Sequence, residues 1–203
     1  MSPTGPNTGK LLALRRVGGK TREMSDDALV AACGVGETAA LGALFDRHHR
    51  DVYRFLSRLA TTNADDVDDL VQTTFLEAWR SARRFRRNGA VRSWIYGIAV
   101  NVARHYVRGE VRRRAAHQGF ADCERAHAAS PASKAEHREL VTRIEVALRE
   151  LPHDQRVAFV MCDLEGIAGV DAARALGIRR GTMWRRLHDA RKALRSVLAG
   201  STL

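Results

Sequence analysis

The chain has 203 residues, 45% of them hydrophobic, which allows one or two cores, and 34 Lys and Arg against 23 Asp and Glu leave a formal charge of +11. A pI near 10.7 selects a polyanionic partner, nucleic acid before an anionic membrane surface. No apolar run approaches the roughly 20 residues of a spanning helix, Leu11–Leu14 is too short for a signal peptide, and Cys33, Cys123 and Cys162 are too few and too scattered for a disulfide framework, so a cytoplasmic chain without membrane contact is expected.

Residues 1–22 hold Pro3, Gly5, Pro6, Gly9, Gly18 and Gly19 among basic groups and read as a disordered tail. A helical unit over 23–114 follows. Leu41, Leu44, Phe45, His48, Val52, Phe55, Leu56 and Leu59 recur at steps of three and four. Val67, Leu70, Val71, Thr74, Phe75, Ala78 and Trp79 form a second stripe, and Trp94, Ile95, Ile98, Ala99, Val102, Ala103 and Tyr106 a third. Turns are expected at 61–63 and 86–89. Residues 115–136 lose their large apolar side chains and read as a flexible linker. A second helical unit spans 137–203, with Leu140, Ile144, Ala147, Leu148 and Leu151 on one stripe. Pro152 suits the start of the next helix and Asp154 suits its dipole. Ala158, Phe159 and Cys162 continue inward until Gly166. Ala172, Ala173 and Leu176 mark a short helix that Gly177 stops. Thr182 is placed to cap a last helix whose Met183, Leu187, Ala190, Leu194 and Val197 face inward. Period-two alternation is missing, so the expected fold is all-α: two small helical domains and a linker.

A short helix, a glycine-containing turn and a longer helix make a helix-turn-helix, whose second helix enters the major groove. With Met183, Leu187, Ala190 and Leu194 inside, the outer face carries Arg185, Arg186, Asp189 and Lys192. Thr182, Trp184 and Arg185 lie at the end that reaches base edges, where arginine best fits guanine; the alternative is a solvated basic face. In the first unit Asp65, Asp66, Asp68 and Asp69 are followed by Arg80, Arg83, Arg84, Arg86 and Arg87. The acidic stretch repels DNA and should face protein or solvent; the arginines should face phosphates. Trp94 and Tyr96 beside Arg92 suit unstacked bases, although Trp94 fits a core position better than a stacking platform and Trp79 reads as core. Catalysis finds no support. His48 and His49 diverge by about 100° on a helix, His117, Cys123 and His127 lack a four-ligand spacing, and neither a phosphate loop nor a nucleophile elbow is present. No metal, cofactor or catalytic residue is therefore expected.

Asp69-Leu70-Val71-Gln72-Thr73-Thr74-Phe75-Leu76-Glu77-Ala78-Trp79 resembles the core-binding segment of extracytoplasmic-function (ECF) RNA polymerase sigma factors. Ser93 to Ala103 is similar to that family's promoter-melting helix. Leu148 to Pro152, Gln155-Arg156 and Leu164-Glu165-Gly166 resemble the start of its fourth conserved region, and Leu176-Gly177-Ile178, Gly181-Thr182 and Arg186-Leu187-His188 with Ala190-Arg191 its recognition helix-turn-helix. The resemblance covers about 26–114 and 137–198. It implies a non-enzymatic subunit that binds core RNA polymerase and promoter DNA and answers to an anti-sigma factor. Asp69, Leu70, Val71 and Gln72 would meet the clamp helices of the polymerase largest subunit. Arg83, Arg84, Arg86, Asn88, Trp94, Asn101 and Arg104 would take the minus-ten strand. Arg179, Thr182, Trp184, Arg185, Arg186 and Arg191 would hold the minus-thirty-five duplex, and the linker would run toward the RNA exit path.

The chain departs from the pattern in places. Gly97 and Val100 stand where arginine is frequent, Ala168-Gly169-Val170-Asp171 replaces Ser-Tyr-Glu-Glu, and Trp184 replaces a lysine. Gly97 costs its helix up to about 1 kcal/mol of propensity. No sensor domain is expected after Leu203. The alternative is a stand-alone helix-turn-helix regulator, which has no use for the segment from Asp69 to Trp79.

Overall fold

The computed structural model describes residues 23–60, 64–86, 90–116, 144 and 146–199. The N-terminal tail, the turn at 61–63, Asn88, nearly all of the linker, His117, Cys123, His127 and Leu140 lie outside these described residues. Helix α1 (Asp26–Gly34) starts at Ser25, whose hydroxyl accepts from the Ala28 amide at 3.3 Å, with Asp26 and Asp27 in its first turn. Helix α2 (Thr38–Leu59), helix α3 (Ala64–Ser81) and helix α4 (Val91–Ala116) follow, with a 3-10 turn at Ala82–Arg84. The stripe expected on α2 is buried apart from the half-buried Phe45. His48 is part of it, with its Nε2 2.9 Å from Asp26 Oδ2, so it is a core histidine with a partner.

In the second half, a helical stretch over 146–150 leads to Pro152, which sits one residue before α5 (His153–Phe159). A π-helical turn, Val160–Leu164, extends α5 to Gly166, where φ is +68°. Helix α6 (Gly169–Ala175) ends at Gly177, φ +64°. There the Gly177 amide bonds Arg174 O at 3.1 Å and the Ile178 amide bonds Ala173 O at 3.0 Å, a Schellman closure. Helix α7 (Arg180–Ala199) starts straight after it. Thr182 is therefore not a cap. The Arg179 carbonyl already accepts from Met183 at 3.1 Å, which opens the helix earlier and leaves Thr182 exposed inside the first turn. Met183, Leu187, Ala190 and Leu194 point inward as their spacing predicts.

Among the described residues there is no strand, and the all-α reading holds. The two units share one core. Val157, Ala158, Val160, Met161, Ile167, Ala172, Ala173, Met183 and Leu187 join the cluster built from α1 to α4, whereas Ala147, Leu148, Leu151, Ala190 and Leu194 form a small cluster of their own. Helix α4 is thus covered on a second side, and Tyr96 and Val100, outside the expected stripe, are buried with Ile95, Ala99 and Ala103. A Cβ on Gly97 would sit 2.5 Å from the Ala175 carbonyl oxygen. Glycine at mid-helix thus lets the α6 backbone lie directly on α4.

Candidate polymerase and nucleic-acid interfaces

On α3, Leu70, Val71 and Phe75 are buried while Asp69 is exposed and Gln72 half-buried. Gln72 lines an open cleft of about 640 Å³ with Phe45, His49, Tyr53, Arg54 and Asp68. Phe45 braces its wall, stacked on His49 with centroids 5.0 Å apart and edge-on to Phe75. Asp66 accepts from the Tyr106 hydroxyl at 2.8 Å, which ties the acidic end of α3 to α4. Leu76 is 49% exposed. It stands seven residues after Asp69 and four after Gln72, so the three share one face. Sequence reading passed over Leu76; its i+7 spacing from Asp69, off the buried stripe, was the available signal.

The minus-ten candidates cluster where the 3-10 turn meets the start of α4. Arg84 and Arg86 are exposed. Arg83 is exposed too, and its Nε donates to the Gly34 carbonyl at 2.6 Å, fixing the turn to the end of α1. Trp94 is half-buried and tilted on Phe85, centroids 4.8 Å apart. Both rings line a cleft of about 220 Å³ with Arg84, Arg86 and Ser93, walled on the far side by Asp171 and Arg174 of α6. Asn101 is exposed on another cleft beside Glu77, Ile98 and His105. Arg104 donates to Asp154 at 3.1 Å.

Tyr96 overturns an expectation. It is 1% exposed, stacks on Phe55 with centroids 4.3 Å apart, and its hydroxyl donates to Glu165 Oε2 at 2.7 Å. Burial, then the Glu165 bond and charge, push its phenol well above the ordinary range. Its ring is in the core and offers no face to a base; Phe85, which the sequence did not single out, is the aromatic beside Trp94.

On the second half, Arg179, Thr182, Trp184 and Arg185 are exposed around the start of α7. The Trp184 ring lies over Gly169, where a Cβ would come within 3.2 Å of it. Arg186 and Arg191 differ from these. Arg186 pairs with Asp154, the same carboxylate that Arg104 holds. Arg191 forks onto Asp163 with bonds of 2.8 and 2.5 Å, and this bond holds its guanidinium pKa above the usual value. Among the described residues, no helix is long and apolar enough to cross a membrane.

A helix-turn-helix with exposed arginines, a basic aromatic cleft and an acidic helix face, in one short helical chain, define the class. Residues 44–113 match the model for Sigma-70 region 2, and residues 142–194 that for Sigma-70, region 4. The ECF RNA polymerase sigma factor SigM of Mycobacterium tuberculosis (strain ATCC 25618 / H37Rv) is 37% identical over 180 residues, 89% of this chain and 88% of SigM. Sigma factor RpoE, solved with the anti-sigma factor NepR from Bartonella quintana, is 25% identical with a TM-score of 0.59 over 77% of this chain and 95% of that one. CnrH, solved with the cytosolic domain of CnrY, shares the fold, with a TM-score of 0.64 over 87% of this chain and 99% of that one at 24% identity. The chain belongs to the ECF family of RNA polymerase sigma factors.

Proposed function

We propose that the α3 face carrying Asp69, Gln72 and Leu76 is where this sigma factor binds core RNA polymerase, with Leu70 and Val71 supporting it from inside. The observation that carries the reading is the alignment of an exposed acid, an amide and an exposed leucine over a fully buried stripe. The leucine adds apolar area beside the acid and the amide, which a protein interface would bury. Arg84, Arg86 and the Phe85–Trp94 cleft, with Arg83, Asn101 and Arg104, take the minus-ten strand; Asn88 belongs to the same loop by sequence. Arg179, Thr182, Trp184 and Arg185 read the minus-thirty-five duplex, and Arg186 and Arg191 hold its phosphates. The protein acts in the cytoplasm and does no chemistry of its own; polymerase supplies the active site. Its domains divide at 115–136, and an anti-sigma factor is a further partner, by likeness to the NepR-bound RpoE.

Titration of the full chain against purified core polymerase tests the assignment. Asp69→Arg with Gln72→Ala should weaken assembly by about 2 kcal/mol or more, some 30-fold, and lower run-off transcription from a pool of genomic promoter fragments in step. Helix content should stay that of wild type. Unchanged affinity for core polymerase would remove α3 from the interface.

A further inference from the structure

Helix α7 carries five arginines, one lysine and a single acidic residue, Asp189. Asp154, Asp163, Glu165 and Asp171 are each held by arginine. Among the described residues Asp189 has neither an ion pair nor a hydrogen bond, although Arg185 and Lys192 stand one turn away at i−4 and i+3. It caps no helix end, and aspartate inside a helix is a weaker helix former than alanine. Local stability therefore gives no reason for an acid at this place.

Rotation about the helix axis places it. Met183, Leu187, Ala190 and Leu194 are buried and fix which side of α7 faces the core. Thr182, Arg185, Arg186 and Asp189 recur at i, i+3, i+4 and i+7, so they share one side, clear of the buried stripe. Recognition helices bring base-reading side chains into the major groove from one such face. Thr182 and Arg185 are exposed, and Arg186 and Asp189 are half-buried. The acid thus stands about 6 Å further along the helix than Arg185, on the face proposed to read the duplex.

A carboxylate beside DNA is repelled by the phosphates, and it accepts hydrogen bonds but donates none. In the major groove guanine presents two acceptors, thymine an acceptor and a methyl group, and adenine an amino donor beside the N7 acceptor. Cytosine presents its N4 amino donor with no acceptor beside it. We propose that Asp189 is a specificity-determining residue for the upstream promoter element: it accepts from the N4 amino group of one cytosine and rejects the other bases at that position. The inference rests on the reading in which the Thr182 and Arg185 side of α7 meets the minus-thirty-five duplex. Arg185 supplies attraction and matches guanine. Asp189 supplies selectivity by repulsion, since its charge is compensated only where an amino group meets it.

Selection of bound sequences by the full chain from a randomised duplex library, with affinity for the unselected pool, tests this. The wild-type chain should favour cytosine at one position by about tenfold over guanine and thymine. Asp189→Asn replaces the acceptor by an amide that matches adenine N6 and N7, so the preference at that position should change from cytosine to adenine. Asp189→Ala should abolish the preference there and bind the unselected pool about threefold more tightly, because a charge opposed to phosphate is gone. A residue with a structural role alone would move neither readout in this way. Helix content should stay that of wild type in both variants, alanine being the better helix former. A base preference unchanged in both variants, or a loss of pool affinity in Asp189→Ala, would overturn the proposal. The underlying reading fails separately. If Arg185→Ala leaves the preference at every position unchanged, α7 does not read the duplex from this face; if it shifts a preference while neither Asp189 variant does, the role of Asp189 alone is refuted.

Discussion

Arg185 and Arg186 are neighbours on α7, yet the structure predicts different costs for removing them. Arg185 is exposed in the first turns of the helix, on the side proposed to reach base edges. Arg185→Ala should lose about 1–3 kcal/mol of duplex binding and relax preference at one or two positions of the upstream element. Arg186 stands a rotation of about 100° away and is engaged by Asp154. Their side chains are 26% and 42% exposed, so the pair is worth about 0.2–1 kcal/mol, and a phosphate contact must first displace it. Arg186→Ala in the wild-type chain should therefore weaken all sequences alike by less than Arg185→Ala does. The same substitution in an Asp154→Asn background should cost about 0.2–1 kcal/mol more, since no competing carboxylate offsets the phosphate. The assay is a double-mutant cycle on the full chain, with a randomised duplex library at two salt concentrations; Arg186→Ala should lower the salt slope by about one unit. Additive costs, or an Arg186→Ala variant with altered base preference, would refute the division of labour.

Two further predictions concern stability. Arg156 is 8% exposed, and its guanidinium serves the Leu59, Arg149 and Leu151 carbonyls at 2.6–3.1 Å, so Arg156→Met should cost about 2–4 kcal/mol in urea unfolding by orphaning them, and a cost below about 0.5 would refute its bridging role. His153 has its pKa lowered by burial, then by Arg104 and Arg156, against a smaller opposing effect of Asp154. The unfolded chain thus takes up the proton first, and stability falls as pH drops through the ordinary histidine value near 6.5; His153→Asn should shrink the loss of unfolding free energy between pH 7.5 and 5.5, and an undiminished loss would assign it elsewhere.

What the sequence disclosed was local. The α2 stripe, the inner face of α7 and the stops at Gly166 and Gly177 are set by spacings of a few residues, and the structure follows them. Thr182 was misjudged because the Schellman closure after α6 brings the chain straight into a helix at Arg180. Tyr96 was misread for a different reason. Beside arginines in sequence it suits a base, but what buries it is a glutamate 69 residues away. Glu165 itself carries no periodic signal, since its partners Arg92 and Arg58 lie 73 and 107 residues away. Periodicity reports which face of a helix is buried, not which distant charge covers it. The contact between the two halves was accordingly invisible, although each half's own helices were readable.

Three of the departures from the family pattern, Gly97, Gly169 and Trp184, have counterparts in the structure. Gly97 accepts the backbone of Ala175, where a side chain would strike a carbonyl oxygen that cannot move aside. Gly169 lies beneath the Trp184 ring, where a Cβ would come within 3.2 Å of the indole. The family pattern places a tyrosine at the first of these last two positions and a lysine at the second; here the aromatic ring is supplied from α7 instead, and α6 gives way with a glycine. Restoring tyrosine at 169 alone would set its Cβ 3.2 Å from the indole, which would have to shift by a few tenths of an ångström, so the two positions are in contact. The exchange leaves Trp184 51% exposed near the start of α7, with its ring seated on the backbone of Gly169 rather than on a flexible side chain. An aromatic fixed in this way presents an apolar surface suited to a thymine methyl, where a lysine would present a mobile charge to phosphate. If α7 meets the duplex as proposed, the substitution moves that position from positioning the duplex toward reading it.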